Sequence, residues 1–343
     1  MAPTRRSITC SSRNRLLKKW LESRWYSSRP APWWLRPLAA LYGWIAARRR
    51  RRLAAHAARL PVPVIVVGNI SVGGTGKTPF VIWLVEQLRE WGFSPGIISR
   101  GYGGHAPQYP LEVDAQTDVR HSGDEPLLMA QRLRVPVVAA PDRVAAARAL
   151  LARHESVNVL VADDGLQHYR LARDLEFCVI DAARGFGNGA LLPAGPLRES
   201  PSRLHEVDGV IVNGGGWRDA GEAHADMMLG MTTVMSFGGR AQPLMAYAGQ
   251  RVHAVAGIGH PERFFEQLHS FGIKVIPHAF ADHHAYRLSD LQFGDSLPLL
   301  MTEKDAVKCR GFAQRHWVYV PVTAQIDAGG VELVRKLCEG LKG

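Results

Sequence analysis

Short, mostly apolar runs recur through the middle of the chain, at Val64–Val67, Gly96–Ser99, Val137–Ala139, Val157–Ala162, Phe177–Ile180 and Val210–Val212. They are three to six residues in length and rich in β-branched residues, without alternation, as expected of strands buried on both faces of a parallel sheet. Between them lie stretches with helical spacing. Phe80, Leu84 and Leu88 recur on one face, and Asp142 to Arg153 reads as an alanine-rich helix. Strands alternating with helices predict a doubly wound α/β sheet over residues 61–226.

From about residue 227 the pattern changes. Closely spaced strands at Thr232–Phe237 and Pro243–Ala246 predict a β-ribbon over 227–250 that joins two units. A second strand–helix series follows over 251–343, with strands at His253–Gly259, Val275–Ile276 and Leu299–Met301 and a helix at Pro261–Leu268. This segment is expected to form a smaller α/β domain. No repeat of solenoid spacing is present.

The first buried strand runs into Gly68-Asn69-Ile70-Ser71-Val72-Gly73-Gly74-Thr75-Gly76-Lys77-Thr78. Glycines let successive N–H groups turn inward without Cβ clashes, so Gly73, Gly74, Thr75, Gly76, Lys77 and Thr78 are expected to cradle phosphate at a helix N-terminus. Lys77 would reach the β- and γ-phosphates, and the Thr78 hydroxyl would hold Mg2+. Pro79 suits the first helical turn. The pattern departs from G-x-x-x-x-G-K-[ST] at Ser71, where glycine is usual.

Other strand ends carry candidate chemistry. Arg100 and Tyr102 follow the second run in a glycine-rich turn, where either a substrate contact or a plain turn is open. Asp163 and Asp164 end the Val157 strand, where carboxylates can orient Mg2+ near the phosphates. Asp124 and Glu125 open a helix and read locally as dipole-matching residues; a carboxylate there could also accept a hydroxyl proton. Asp282-His283-His284, with His278 nearby, offers either an imidazole for proton relay or a metal cluster.

Charge changes the picture at the N-terminus. The 343-residue chain has a net charge of +11, yet residues 1–59 hold 15 Lys or Arg against one acid, while the remainder holds 27 basic against 30 acidic residues. The body is therefore near neutral, and no nucleic-acid groove is expected. Residues 1–19 read as a basic extension. Within 20–60, Pro32–Ala47 is apolar and rich in tryptophan but interrupted by Arg36, and Arg48–Arg52 follow it. That is short of the roughly 20 apolar residues a spanning helix needs. A helix lying in one leaflet of a membrane fits, as does a helix packed on the protein's own core. The four cysteines lack Cys-x-x-Cys spacing, so no zinc site is expected.

Taken together, Gly68–Pro79, Ser99–Gly103, Gly123–Pro126, Asp163–His168, Leu192–Glu199, Gly257–Gly259, Asp282–His284 and Thr302–Lys308 resemble the tetraacyldisaccharide 4'-kinase family, the lipid A kinases of Gram-negative bacteria. The resemblance covers about residues 20–340. It implies an ATP- and Mg2+-dependent kinase acting on the 4'-hydroxyl of an acylated glucosamine disaccharide 1-phosphate. It also implies a P-loop NTPase-like domain, a smaller domain joined by a β-ribbon, and an N-terminal helix associated with the inner membrane on its cytoplasmic face, peripheral or monotopic. On matching positions, Lys77 and Thr78 bind phosphate and metal, Asp163, Asp164, Gln167 and Glu199 surround the metal, and Asp124 is the base assisted by His283. Arg100 and Tyr102 fall at the substrate. The partners implied are the lipid substrate and the membrane surface, with no obligate protein partner. His260 departs from the asparagine usual in the family. A P-loop GTPase or metallochaperone-like switch is the competing reading, although the Asn-Lys-x-Asp guanine signature is absent.

Overall fold

The computed structural model describes residues 21, 23–27, 30–217 and 224–342. The basic extension 1–19 lies outside the described residues. A short 3₁₀ turn at Trp33–Leu35 leads into α1 (Arg36–Ala54) and then β1 (Val64–Gly68). There follow α2 (Lys77–Glu90), β2 (Pro95–Ser99), β3 (Leu111–Glu112), α3 (Val119–Ser122), α4 (Asp124–Leu133), β4 (Val137–Ala139) and α5 (Arg143–Arg153). Next come β5 (Val159–Asp163), β6 (Leu175–Asp181), β7 (Gly209–Asn213) and β8 (His224–Gly230). The remainder holds β9 (Thr233–Ser236), β10 (Ala241–Pro243), β11 (Arg251–Ala256), α6 (Pro261–Ser270), β12 (Lys274–Ala279) and β13 (Leu299–Thr302). It closes with α7 (Glu303–Cys309), β14 (Trp317–Val320), β15 (Thr323–Ile326) and α8 (Ala328–Glu339).

The larger sheet has the order β15-β8-β7-β6-β1-β5-β2-β4-β3. Its inner strands are parallel, and only the edge strands β3 and β15 run antiparallel to their neighbours. β1 is central, flanked by β5 and β6. Its side chains divide by alternation: Ile65 and Val67 join a core with Phe80, Leu84 and Leu88 of α2, while Val64 and Val66 join the opposite core with Ala146 and Leu150 of α5. The chain moves to one side of β1 after α2 and crosses to the other side after β5. The loops that leave β1, β5 and β6 therefore converge at one switch point, where open α/β sheets bind ligands.

The smaller sheet has the order β10-β9-β14-β13-β11-β12, with β11 to β14 parallel. The connection between the sheets differs from the pattern-based expectation. Thr232–Phe237 and Pro243–Ala246 do not make a separate ribbon, because β9 and β10 belong to the smaller sheet. The two crossings are made instead by β8 and β15, paired antiparallel from Thr323 opposite Gly230 to Ile326 opposite Met227. Nor does 251–343 stay in the smaller unit. Ala324, Val334 and Cys338 are buried in the same core as Ala225 and Met227 of the larger sheet, and that shared apolar burial returns β15 and α8 to it.

α1 packs through Leu35 and Ala39 against Ala190, Leu191 and Ala194. A Cβ at Gly43 would lie 2.7 Å from Leu191 Cδ1, so glycine permits the close approach. Tyr42 Oη donates to the Arg198 carbonyl at 3.3 Å. The opposite face leaves Trp34, Leu38, Leu41 and Ile45 about half exposed. No helix among the described residues is long and apolar enough to cross a membrane.

Candidate active site

A cleft of about 1220 Å³ opens between the two sheets, floored by the loop after β1. Gly73 to Thr78 all line it. Gly76, at the N-cap of α2, has a φ of 94°. A Cβ there would sit 2.7 Å from Asn213 Nδ2, so backbone conformation and space both require glycine. Asn213, at the end of β7, donates from that same nitrogen to the Thr75 carbonyl at 3.1 Å, and Asn69 Nδ2 donates to Thr75 Oγ1 at 3.3 Å. The loop is thus braced from behind while its N–H groups and the first turn of α2 remain available to an anion.

Asp163 and Asp164 leave β5 beside this loop. Lys77 Nζ lies 3.4 Å from Asp164 Oδ1, and Arg198 Nη1 lies 3.6 Å from the same oxygen. Asp164 has φ 48°, a left-handed conformation that costs a non-glycine residue about 1–2 kcal/mol and turns its carboxylate toward the lysine. Burial would raise its pKa, but the Lys77 and Arg198 charges outweigh burial and the net direction is down. Asp163 goes the other way, raised through burial first and then the charges of Glu125 and Asp164. Its Oδ2 accepts from Ser99 Oγ at 3.2 Å, while its Oδ1 is buried without a hydrogen-bond partner. Beneath it, the buried Arg143 guanidinium donates to the carbonyls of Asp163 and Ala140 at 3.1 and 3.0 Å.

Gln167 and Glu199 are brought together next to these carboxylates. Gln167 Nε2 donates to Glu199 Oε1 at 2.7 Å, Tyr169 Oη donates to Glu199 Oε2, and Arg198 Nη1 donates to Gln167 Oε1 at 3.3 Å. Both Glu199 oxygens are therefore engaged by protein groups. Among the described residues, no three or more His, Cys, Asp or Glu side chains are arranged to hold a metal by themselves.

Asp124 begins α4, buried and outside the cleft lining next to Glu125, which does line it, with its N–H-side neighbour Gly123 at φ 81°. A Cβ on Gly123 would fall 2.4 Å from the Tyr102 carbonyl, so the tight passage into α4 depends on glycine. His283 arrives from the smaller unit, in the loop after β12, with φ 59°. Its Nδ1 is 2.9 Å from Asp124 Oδ2. The Tyr102 ring lies 5.0 Å from the imidazole. Hydrogen bonding to Asp124 raises the His283 pKa against the effect of burial. For Asp124, burial pushes up, and the His283 bond and the Lys304 charge together bring it below its usual value.

The neighbouring histidines diverge. His284 pairs with Asp290 at 3.2 Å and His278 with His253 at 2.8 Å, so neither joins His283. Tyr102 lines the cleft, whereas Arg100 is exposed and lies outside its lining. Asn213, Arg143, Tyr169 and Lys304 take part in the site without having been singled out by sequence. Only Lys304 had a usable signal, since it stands in the first turn of a helix among acids.

Residues 31–339 match the family described as tetraacyldisaccharide-1-P 4'-kinase, LpxK. The tetraacyldisaccharide 4'-kinase of Stutzerimonas stutzeri is 52% identical over 89% of this chain and 92% of its own length. That of Stenotrophomonas maltophilia is also 52% identical, over the same shares. Among solved structures, LpxK from Aquifex aeolicus in complex with ATP is 29% identical, covers 90% of this chain and 98% of its own, and superposes with a TM-score of 0.74. The match spans both sheets and the connections between them, which favours the kinase over a GTPase or metal-carrying switch. A phosphate loop and a carboxylate–imidazole pair, carried on a chain alike from the first helix to the last, make this protein a member of the tetraacyldisaccharide-1-P 4'-kinase family.

Proposed function

We propose that the cleft transfers the γ-phosphate of ATP to the 4'-hydroxyl of an acylated glucosamine disaccharide 1-phosphate, the kinase step of lipid A synthesis, with Asp124 as general base. One observation carries this reading: His283, which lines the same cleft as the phosphate loop, contacts the buried Asp124, and each unit supplies one member of that pair. Phosphoryl transfer asks for positioning and charge stabilisation more than covalent chemistry. The N–H groups of Gly73 to Thr78 and the Lys77 ammonium would take the phosphates. Asp124 would accept the hydroxyl proton within hydrogen-bond reach, and His283 would share it and orient the carboxylate. The left-handed backbone at His283 fits an imidazole held in place for that task.

The donor set also suits Mg2+. Asp163 Oδ1 is a buried oxygen without a partner, and Asp164 Oδ1 has only ion pairs of 3.4 and 3.6 Å. Thr78, Asp163 and Asp164 would hold the ion, which when bound neutralises charge on the phosphates. Gln167 and Glu199, already joined to each other, would keep Arg198 and Asp164 aligned. Tyr102, exposed beside His283, would meet the sugar.

The apolar face of α1, close to the Arg198 end of the cleft, would lie in the headgroup region of the cytoplasmic leaflet and deliver the lipid substrate. The chain would then act as a peripheral or monotopic protein of the inner membrane. The domains of this reading are a membrane-contacting helix, a nucleotide unit and a smaller acceptor-side unit.

The test is label transfer from γ-labelled ATP to a purified acylated disaccharide 1-phosphate in detergent micelles, with Lys77→Ala as control. Lysine-dependent labelling of the lipid is the expected result. ATP hydrolysis with an unlabelled lipid would refute the acceptor assignment.

A further inference from the structure

In the segment Thr302–Lys308, three consecutive side chains at the start of α7 each hold a different piece of the site. Asp305, fully buried, accepts from the Gly257 N–H at 2.8 Å and from Thr302 Oγ1 at 2.6 Å, and it pairs with Lys308 at 2.7 Å. It thereby fixes the Gly257–Gly259 loop, and a Cβ on Gly259 would stand only 3.6 Å from the Gly74 nitrogen of the phosphate loop. Glu303 accepts from Arg132 Nη1 of α4 at 3.0 Å, and the same nitrogen donates to the Val322 carbonyl, in the chain's return to the larger sheet, at 2.7 Å.

Lys304 lies between these two anchors and points across the cleft. Its Nζ is 3.0 Å from Glu125 Oε1, 3.4 Å from Asp282 Oδ1 and 3.9 Å from Asp124 Oδ2. A cation in the first turn of a helix opposes the helix dipole, and this side chain is only 19% exposed. Its own helix and the solvent therefore give little reason for it to be there. The carboxylates across the cleft do.

We infer that Lys304 is a positioning residue for the base, a cation on the smaller unit that keeps Asp124 ionised and aligned with His283. The inference rests on Asp124 being that base. The charged groups facing Asp124 are Glu125 on its own helix, Asp282 and His283 from the loop after β12, and Lys304 with Lys308 from α7. Glu125 and Asp282 disfavour a further carboxylate, and burial does the same. Lys304 opposes both, and it remains a cation because Glu125, Asp124 and Asp282 raise its pKa although burial lowers it.

The experiment is the pH dependence of lipid phosphorylation by the full chain carrying Lys304→Met, Lys304→Arg or Glu125→Gln, with ATP affinity measured alongside. In Lys304→Met the acid limb of kcat should move up by about one pH unit or more, with ATP affinity within about twofold of the parent. Lys304→Arg should bring the limb back toward its original position. Glu125→Gln, which removes a carboxylate and leaves the lysine, should move it down. An acid limb unmoved in Lys304→Met, or a loss of ATP affinity equal to the loss of turnover, would overturn the inference. If Lys304→Met does not fold, an acid limb that fails to move down in Glu125→Gln overturns it instead. Turnover surviving in Asp124→Asn would overturn the base and this inference together. An inactive Asp124→Asn beside an unmoved Lys304→Met profile overturns the inference alone.

Discussion

Replacing Trp34, in the turn before the first helix, and Leu38, Leu41 and Ile45 of that helix with glutamine should detach the protein from lipid without unfolding it. Each side chain keeps about half its surface in solvent, and its packed neighbours on the helix, Leu35 and Ala39, are untouched. Full burial of such a side chain is worth roughly 2 kcal/mol, so moving the exposed half into a leaflet is worth about 1 kcal/mol each and about 4 kcal/mol for four. That corresponds to roughly a thousandfold in partition constant. Arg48, Arg49 and Arg52 continue the same face and are exposed, adding about 1 kcal/mol each toward anionic lipid at low salt. Arg50 does not add to it because it pairs with Glu206 on the protein. The two contributions separate by salt, since the arginine part is screened and the apolar part is not. Vesicle sedimentation at low and high salt, with and without anionic phospholipid, reads both. The glutamine variant should keep residual binding only to anionic vesicles at low salt, and it should retain ATP binding. Partition unchanged at high salt, in a variant that still binds ATP, would show that this face does not meet the membrane.

Asp124→Asn should lower turnover by about a hundredfold or more while leaving the ATP dissociation constant within about twofold, because its role begins with the acceptor hydroxyl; single-turnover kinetics against nucleotide titration separates the two. The Asp124–His283 pair should add stability in a bounded pH window. Asp124, lowered from 3.8, contributes above that value and loses its contribution as pH falls through its folded pKa; His283, raised from 6.5, contributes fully below that value and loses its contribution as pH rises through its own. The melting-temperature gap between the parent and His283→Asn should therefore be widest from about pH 4 to 6.5 and shrink at alkaline pH, and a gap that grows toward alkaline pH would contradict the pairing. Arg132→Leu should cost about 3 kcal/mol, since it leaves Glu303 buried without its cation and the Val322 carbonyl without its donor; urea denaturation measures the loss.

Much of the nucleotide side was legible because its signals are local. Val64–Val67 is apolar without alternation, and the glycines that follow it are needed within a few residues of where they stand. Asp163 and Asp164 were legible for the same reason, as acids at the end of a buried run. The Asp124–His283 contact was not, since it joins positions 159 apart in the chain; taken alone, Asp124 is a helix-terminal acid, and only family likeness pointed further. Arg143 and Asn213 were missed because a lone arginine opening a helix normally faces water and an asparagine ending a strand normally makes a turn. Here the first is buried under Asp163 and the second braces Thr75. The β8–β15 pairing escaped notice because its strands are nearly a hundred residues apart, and nothing in either strand names its partner.

That pairing makes the smaller sheet a guest threaded into its host at one point. Gly230 and Thr323 face each other in register, so a tight turn between them would turn two crossing strands into an ordinary hairpin and seal the host without the guest. Such a host would keep Lys77, Asp163 and Asp164 and lose His283 and Lys304 together. The phosphate loop and the partner of Asp124 thus lie on separable stretches of the chain, joined through a single pair of strands.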